Sequence, residues 1–357
     1  MTISGWALEL ARDDLTRTSL IDVDVPEPGE GEAVLRVDRV GLTANNVTYG
    51  VLGDAFRYWQ FFPASDGFGR VPLWGFSEVV ASTVPGVEIG QRLYGYLPMA
   101  SHLVVQPVRV DERGFRDGSP HRADLPSPYN AYALTTGDTA YEPDREDLQI
   151  LFRPLFFTSF MLADQLEDND VYGARTVLLS SASSKTAYGS ASLLHGGATE
   201  VVGLTSASNL AFTESLGCYD RVLSYDDVET LPTDVPTAYL DLAGSTPLRR
   251  QLHTHLGDAL VKDLVVGVTQ QDTSPAGTLD GPRPAAFFAP DQMTKRTADW
   301  GRAELDERFG QAWQRFAPKV QQWVDVVVSQ GPEALRDVWL EVLGGTSAPR
   351  TGHVLQL

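Results

Sequence analysis

Arg175-Thr-Val-Leu-Leu-Ser-Ser-Ala-Ser-Ser-Lys-Thr-Ala-Tyr-Gly189 decides how this chain is read. Thr176 to Leu179 is a short apolar run with the composition of a buried strand. A turn of small hydroxyl residues follows, and then the start of a helix. A nucleotide-binding α/β fold puts its phosphate-cradling turn at such a junction. Small residues let the backbone approach a pyrophosphate, and the helix N-terminus offers free N–H groups. The usual glycines are missing: Ser181, Ser183, Ser184 and Lys185 stand in their place.

Beyond that turn, short apolar strands at 200–204, 221–223, 238–242 and 264–268 alternate with helical patterns at 187–195, 209–216 and 246–256. This alternation predicts a parallel sheet covered by helices. Residues 299–330 read as helices anchored by Trp300, Phe309, Trp313 and Trp323. A last helix runs from Pro332 to Leu343, begun by proline and ended by Gly344-Gly345. Residues 351–357 form a candidate closing strand.

Toward the N-terminus the pattern changes. Glu32-Ala-Val-Leu-Arg-Val-Asp-Arg-Val40 alternates apolar and polar residues, as a half-buried strand does. Further short strands at 79–84, 92–97 and 101–107, separated by Pro85-Gly86 and Ile89-Gly90, predict a small barrel. Residues 108–147 show no period and read as a long surface insertion, a lid or a mobile segment. The apolar segment 148–166 is interrupted by Arg153, Pro154 and Asp164, so it reads as a buried helix over 157–166 preceded by a loop rather than as a membrane span.

A chain of 357 residues has room for two domains. Its net charge of -19 leaves no cationic excess for nucleic acid or an anionic membrane. Cys218 is the single cysteine, so no intramolecular disulfide forms, and a cytoplasmic setting is expected. Residues 1–12 lack the basic-then-apolar pattern of a signal peptide.

Several segments, taken in order, resemble the medium-chain dehydrogenase/reductase superfamily, near its zinc-free quinone oxidoreductase and enoyl reductase branches. Pro85-Gly-Val-Glu-Ile-Gly-Gln-Arg-Leu-Tyr-Gly95 is similar to a strand-and-turn segment of that family's barrel. The stretch Glu200 to Gly217 resembles its second strand and helix, Arg221-Val-Leu-Ser-Tyr225 its third strand and following tyrosine, and Tyr239-Leu-Asp-Leu-Ala-Gly244 its fourth strand and turn. Gly352-His-Val-Leu-Gln-Leu357 resembles the strand that returns to the barrel. Residues 108–147 and 281–330 match poorly.

The resemblance implies an α/β chain: a GroES-like β-barrel domain over 1–155, completed by strand 345–357, and a Rossmann-like doubly wound sheet over 156–344 with extra helices at 299–343. It also implies a homodimer and a small-molecule substrate. Ser181, Ser183, Ser184, Lys185 and Thr186 would rebuild the phosphate cradle from hydroxyls, one ammonium group and a helix N-terminus. The alternative is that Ser184 or Thr186 merely caps a helix, with Lys185 in solvent. The second strand ends on Thr205 and Ser206, not on the carboxylate that binds an NAD ribose. Ser206 and Tyr225 match what NADP-using relatives place there, while Asn209 stands where those relatives have a basic residue; the resemblance favours NADP(H) over NAD(H), and an ordinary polar turn is the alternative. Gly244, Gly267 and Thr269 match turns on the nicotinamide side, and Phe287-Phe-Ala-Pro290 does so more weakly. Lys295 and Arg296 either meet an acidic substrate or a cofactor phosphate, or are surface charges.

No metal is expected. One cysteine cannot build a structural zinc site, and Cys218 reads as a packed small side chain. His253 and His255 would point about 200° apart on a helix and read as two solvent-facing histidines. Thr43-Ala-Asn-Asn-Val-Thr-Tyr49 corresponds to a family loop facing the nicotinamide, with Asn45 and Asn46 both candidates for its asparagine. Tyr49 is a candidate proton donor or a packed core residue. Tyr58, Trp59 and Trp74 either line an apolar substrate pocket or form a plug under a barrel loop. The expected activity is a metal-independent, NADPH-dependent reduction of an activated carbonyl, quinone or enone. A different class stays open: a non-redox descendant that binds a small ligand or nucleotide, or a lyase-like enzyme using Tyr49 and Lys185.

Overall fold

The computed structural model describes residues 3–266, 279 and 281–357. The chain divides into two compact units, Met1–Leu151 with Val324–Leu357, and Phe152–Trp323. The first unit begins with β1 (Ile3–Ala11), β2 (Thr18–Val25), β3 (Ala33–Leu42), α1 (Ala44–Val51) and β4 (Phe68–Gly69). It continues with β5 (Leu73–Ser82), β6 (Arg92–Leu97), β7 (His102–Val105), β8 (Pro107–Asp111), β9 (Gly114–Asp117) and β10 (Ala131–Leu134). Along β3 the expected alternation holds only around Arg36, which is exposed between the buried Leu35 and Val37 and pairs with Glu78 at 2.9 Å; Val34 and Val40 are buried as well, with register shifts at Val34/Leu35 and Val37/Arg39.

Segment 108–147 is not the surface insertion expected from its composition. Its strands β8, β9 and β10 pair with one another and, through β10, with β6. Inside it the fully buried Arg122 pairs with Asp117 at 2.9 Å, donates to the Tyr132 hydroxyl at 3.1 Å and lies over the Phe62 ring. Strands of four or five residues between turns carry too few positions to display a period.

The helix after this segment, α2 (Glu146–Asp168), begins well before 157 and contains Pro154. Its first turn is fixed by Arg92, which grips Glu146 at 2.5 and 2.7 Å, and by Arg39, 2.8 Å from Asp147. These anchors offset the backbone hydrogen bond that proline deletes.

The second unit carries β11 (Thr176–Leu179), α3 (Lys185–Leu194), β12 (Glu200–Thr205), α4 (Leu210–Ser215), β13 (Arg221–Ser224) and β14 (Thr237–Asp241). After these come α5 (Thr246–Leu256), β15 (Leu260–Val265), β16 (Ala285–Ala286), α6 (Ala289–Trp300) and α7 (Arg302–Trp323). All six strands are parallel in the order β13-β12-β11-β14-β15-β16. The chain therefore winds one way from β11 and then reverses, which puts a topological switch point between the C-terminal ends of β11 and β14. Leu178, Val202, Leu204, Tyr239 and Leu252 fill the core between sheet and helices. On α7, Phe309, Trp313 and Phe316 are buried at helical spacing, and Phe316 stacks on Phe156 with centroids 4.3 Å apart.

The chain then returns to the first unit with β17 (Asp325–Gln330), α8 (Gly331–Leu343) and β18 (Thr351–Gln356). Residues 325–330 were expected to continue the helices. They form a strand parallel to β18 instead, because the β-branched run Val326-Val-Val328 fits a pleated surface better than a helix. The larger sheet of this unit runs β17-β18-β3-β5-β6-β10-β9-β8, with β7 also on β3; the smaller runs β2-β1-β4. Among the described residues no pairing closes either path into the single small barrel expected from the sequence. A bridge between Ala7 and Ala100 and the bonds from Leu8 N–H to Met99 C=O (2.8 Å) and Ser101 N–H to Trp6 C=O (3.0 Å) stitch the two sheets together instead. The buried Trp339 of α8 seals this core and donates its indole N–H to Leu15 C=O at 2.8 Å. No helix among the described residues is long and apolar enough to cross a membrane.

Candidate functional site

In the second unit, the hydroxyl-rich turn leaves β11 with Ser181 at φ +51°, where a glycine would stand without strain. That conformation costs an L-residue about 1–2 kcal/mol. The Ser181 N–H is held by the Tyr225 hydroxyl at 2.9 Å, and its carbonyl accepts from Ser184 N–H at 2.8 Å. Ser184 then caps α3 by accepting from Ala187 N–H at 3.4 Å. The cap and the turn are one device: the cap leaves the Lys185 and Thr186 N–H groups, at the first positions of α3, without partners inside the helix. The Thr186 carbonyl accepts from the Ser159 and Ser190 hydroxyls at 2.8 and 2.9 Å, which fixes this end of α3.

The neighbouring strand ends converge on the same turn. Ser183 Oγ accepts from Asn209 Nδ2 at 3.2 Å and from Thr205 Oγ1 at 3.4 Å. Ser206 Oγ lies 3.0 Å from Ser208 Oγ. The fold thus gathers Ser181, Ser183, Ser184, Thr205, Asn209 and Tyr225 at the C-terminal ends of β11, β12 and β13. Lys185 is half-buried, with its Nζ 5.8 Å from the centre of the Phe152 ring. Among the described residues no carboxylate pairs with it, and burial lowers its ammonium to about 8.

Across the switch point, the buried Asp241 organises the turn after β14. Its Oδ1 accepts from Ser180 Oγ (3.0 Å), Tyr239 OH (3.1 Å), Ala243 N–H (3.1 Å) and Gly244 N–H (2.8 Å). Gly244 sits at φ +70°. Arg249 pairs with Asp241 and, at 3.1 Å, with the buried Asp263, which also meets His253 Nε2 at 2.9 Å. Burial raises the Asp263 carboxyl, opposed by His253 and Arg249. His253 is therefore a core residue, not a solvent-facing one; α5 turns that face inward, where Asp263 satisfies the ring. His255 Nε2 contacts Leu231 C=O at 2.8 Å. Arg249 and Asp263 escaped the sequence reading, because a charged residue on an amphipathic helix or strand gives no sign that its partner is buried.

Two further expectations, Gly267 and Thr269, lie outside the described residues. Lys295 pairs at the surface with Asp168 at 2.9 Å, whereas Arg296 is largely covered and pairs with the buried Asp164 at 2.7 Å. Cys218 is buried and its thiol is pushed up to about 12 by desolvation. Among the described residues no three His, Cys, Asp or Glu side chains form a metal-holding group.

In the first unit, residues 43–49 are the start of a helix rather than a loop. Thr43 is the N-cap of α1, and Asn46 closes a capping box by accepting from Thr43 N–H at 2.8 Å. Its amide nitrogen donates to Pro72 C=O at 2.9 Å, so the Asn46 side chain is spent on structure. Asn45, one position earlier, donates to the Tyr49 hydroxyl at 2.8 Å. Tyr49 is buried, which raises its phenol above the ordinary value.

Around Tyr49 lies an aromatic cluster. Ring centroids are 4.6 Å to Tyr58 and 5.8 Å to Tyr96; Tyr96 in turn is 4.9 Å from Trp74 and 4.8 Å from Tyr129. Tyr96 and Tyr129 were not anticipated, although Tyr94-Gly-Tyr96 on an alternating strand could have signalled inward aromatics. Tyr129 comes from segment 108–147. Trp59 does not share this arrangement: it fills the space above Gly53 and Gly69, where a Cβ would come within 2.1 and 2.3 Å of its ring atoms. It is a buried plug.

No curated protein matches the sequence. Solved structures do match the fold over nearly the whole chain. CurA from Vibrio vulnificus in complex with NADPH is 14% identical with a TM-score of 0.65, covering 98% of each chain. A putative NADPH:quinone reductase from Mesorhizobium loti is 13% identical with a TM-score of 0.66, covering 100% of each. The yhdH oxidoreductase from Salmonella enterica in complex with NADP is 15% identical with a TM-score of 0.55, covering 99% of each. This chain shares the fold of these neighbours. A family model spans residues 40–348, most of the length, and the chain belongs to that family, the one described as Protein of unknown function (DUF2855).

Proposed function

We propose that the chain is a metal-independent reductase that uses NADPH in preference to NADH to reduce an activated carbonyl, quinone or enone. The carrying observation is the hydroxyl-and-lysine turn at the switch point of a β13-β12-β11-β14-β15-β16 sheet, beside a β12 that ends without a carboxylate. The first unit is proposed to be a divergent GroES-like domain.

The residues fit a dinucleotide. The hydroxyls of Ser183, Ser184 and Thr186 and the first N–H groups of α3 would receive the pyrophosphate. Lys185, a half-buried ammonium with no carboxylate partner among the described residues, gains most from an anion. Thr205, Ser206 and Asn209 offer hydroxyls and an amide to a ribose 2′-phosphate, where an Asp or Glu would repel it. The bound cofactor would supply a hydride. Asn45 and Tyr49 would orient the substrate oxygen, and Tyr49 would give it a proton. Tyr58 and Trp74 would shield the substrate from water. The NADPH and NADP complexes among the neighbours support this reading.

One observation favours the second class, a nucleotide binder without hydride chemistry: the Ser181 N–H is already engaged by Tyr225. NADPH consumption with a panel of quinones and enones separates the two. The reductase reading expects turnover that falls at least about tenfold in kcat/KM in Lys185→Glu, the loss of one charge-assisted contact or more. A protein that binds NADPH and consumes none with any acceptor belongs to the second class.

A further inference from the structure

Strand β17 ends the larger sheet of the first unit, and among the described residues no strand pairs with its outer side. Asp325 N–H donates to Arg350 C=O at 2.8 Å, and the ladder to β18 runs from Asp325 opposite Thr351 to Gln330 opposite Gln356. Main-chain groups alternate sides along a strand, so those of Asp325, Val327 and Ser329 are turned to β18. The N–H and C=O groups of Val326 and Val328 therefore face outward. Val327 and Val328 are each 44% exposed.

The other strands that end a sheet path are blunted against pairing with a second chain. β4 and β16 are two residues long. β2 sets Asp22 and Asp24 in solvent. β8 starts at Pro107, carries Arg109 at φ +52° and loses register after Val108. β13 has four residues and starts on Arg221. β17 has six residues, no proline and one charge, Asp325, which Arg350 meets at 3.2 Å. Val326-Val-Val-Ser-Gln-Gly331 is thus an uncharged, β-branched edge on a chain of net charge -19. Two such acidic chains repel, and this edge lets them meet without opposing like charges.

We propose that β17 is the contact surface for a second copy of this chain, which adds its own β17 antiparallel about a two-fold axis at Val327. Only outward-facing residues can exchange main-chain bonds, and centring on Val327 uses both of them on each copy. Val326 falls opposite Val328 of the second copy, and Val328 opposite its Val326, as hydrogen-bonded pairs. Val327 meets Val327 of the second copy on the axis. Asp325 falls opposite Ser329 of the second copy, whose hydroxyl can donate to the carboxylate, and the two Asp325 side chains lie at opposite ends. The surface is self-complementary, as a two-fold contact requires. It uses no residue assigned to cofactor or substrate, so it stands or falls independently of the reductase reading.

The test is the oligomeric state of the full chain, by sedimentation velocity over a range of concentrations. The parent is expected to reach twice the mass of one chain. Val328→Pro deletes an outward N–H and leaves the ladder to β18 intact, which an edge strand tolerates. It is expected to stay at the mass of one chain, with the circular dichroism of the parent. Two cysteine variants check the register. Cys218 is the only native cysteine and is buried. Across the non-hydrogen-bonded pair at 327 the Cα atoms come to about 4.5 Å, so Val327→Cys is expected to give a disulfide-linked dimer on mild oxidation. In Val328→Cys the two thiols are diagonal, on residues about 7–8 Å apart, and no cross-link is expected. A parent that stays at the mass of one chain overturns the proposal and leaves the edge to a strand of another protein. A dimer that survives Val328→Pro, or equal cross-linking at both positions, overturns it too. If Val328→Pro does not fold, the two cysteine variants alone uphold or overturn it.

Discussion

Lys185 shows how a residue can cost stability and serve binding. Its ammonium titrates near 8 in the folded chain against 10.5 for an exposed lysine, because burial disfavours the charge. Between those values the unfolded chain binds the extra proton, so stability rises with pH there, and the full cost is present below about 8. Lys185→Met is therefore expected to resist urea better than the parent at pH 7 and to lose the rise between pH 8 and 10.5, while NADPH binding weakens. Equal pH profiles for the two would show that Lys185 is solvated. Ser181 carries the other local cost. Ser181→Gly removes the left-handed strain and is expected to stabilise by up to about 1 kcal/mol in chemical denaturation. The missing glycine was legible in the sequence. That serine would adopt the glycine conformation, with Tyr225 closing over its N–H, was not, because that contact joins positions 44 residues apart.

Elements built from local rules were read well, and those built from long-range pairing were not. The first strand of the parallel sheet, Thr176–Leu179, and the helix at 246–256 follow from apolar runs and caps. The four-residue strands of segment 108–147 did not announce themselves, because backbone pairing and one buried ion pair, rather than periodicity, hold them. Breaking that pair by Arg122→Met leaves Asp117 buried and charged, with an expected loss of about 3–5 kcal/mol in an equilibrium melt of the first unit. At α1, sequence alone left Asn45 and Asn46 equivalent; the capping geometry separates them. Asn46→Ala should cost about 1–3 kcal/mol of stability, through the lost cap and the orphaned Pro72 carbonyl. Asn45→Ala should leave stability nearly unchanged and lower kcat. The opposite assignment of the two effects would show that the site was placed on the wrong residue.

For the molecule as a whole, the order of elements carried more information than any motif. The switch from short antiparallel strands to alternating strands and helices was visible without a single glycine of the usual fingerprint. Strand 325–330 was hidden by the aromatic anchors before it, and barrel closure is a property of pairing that composition does not encode. The proposed reductase stands or falls on the second unit being an NADP(H) site rebuilt from hydroxyls and Lys185. Equilibrium titration of the full chain, and of Ser206→Asp, with NADPH and with NADH, followed by fluorescence, probes that site without any substrate. The parent is expected to bind NADPH more tightly than NADH, and Ser206→Asp to reverse the order, because a carboxylate repels the 2′-phosphate and accepts from a ribose hydroxyl. Absence of binding at millimolar NADPH, or a Ser206→Asp variant with the parent's preference, would rule the site out.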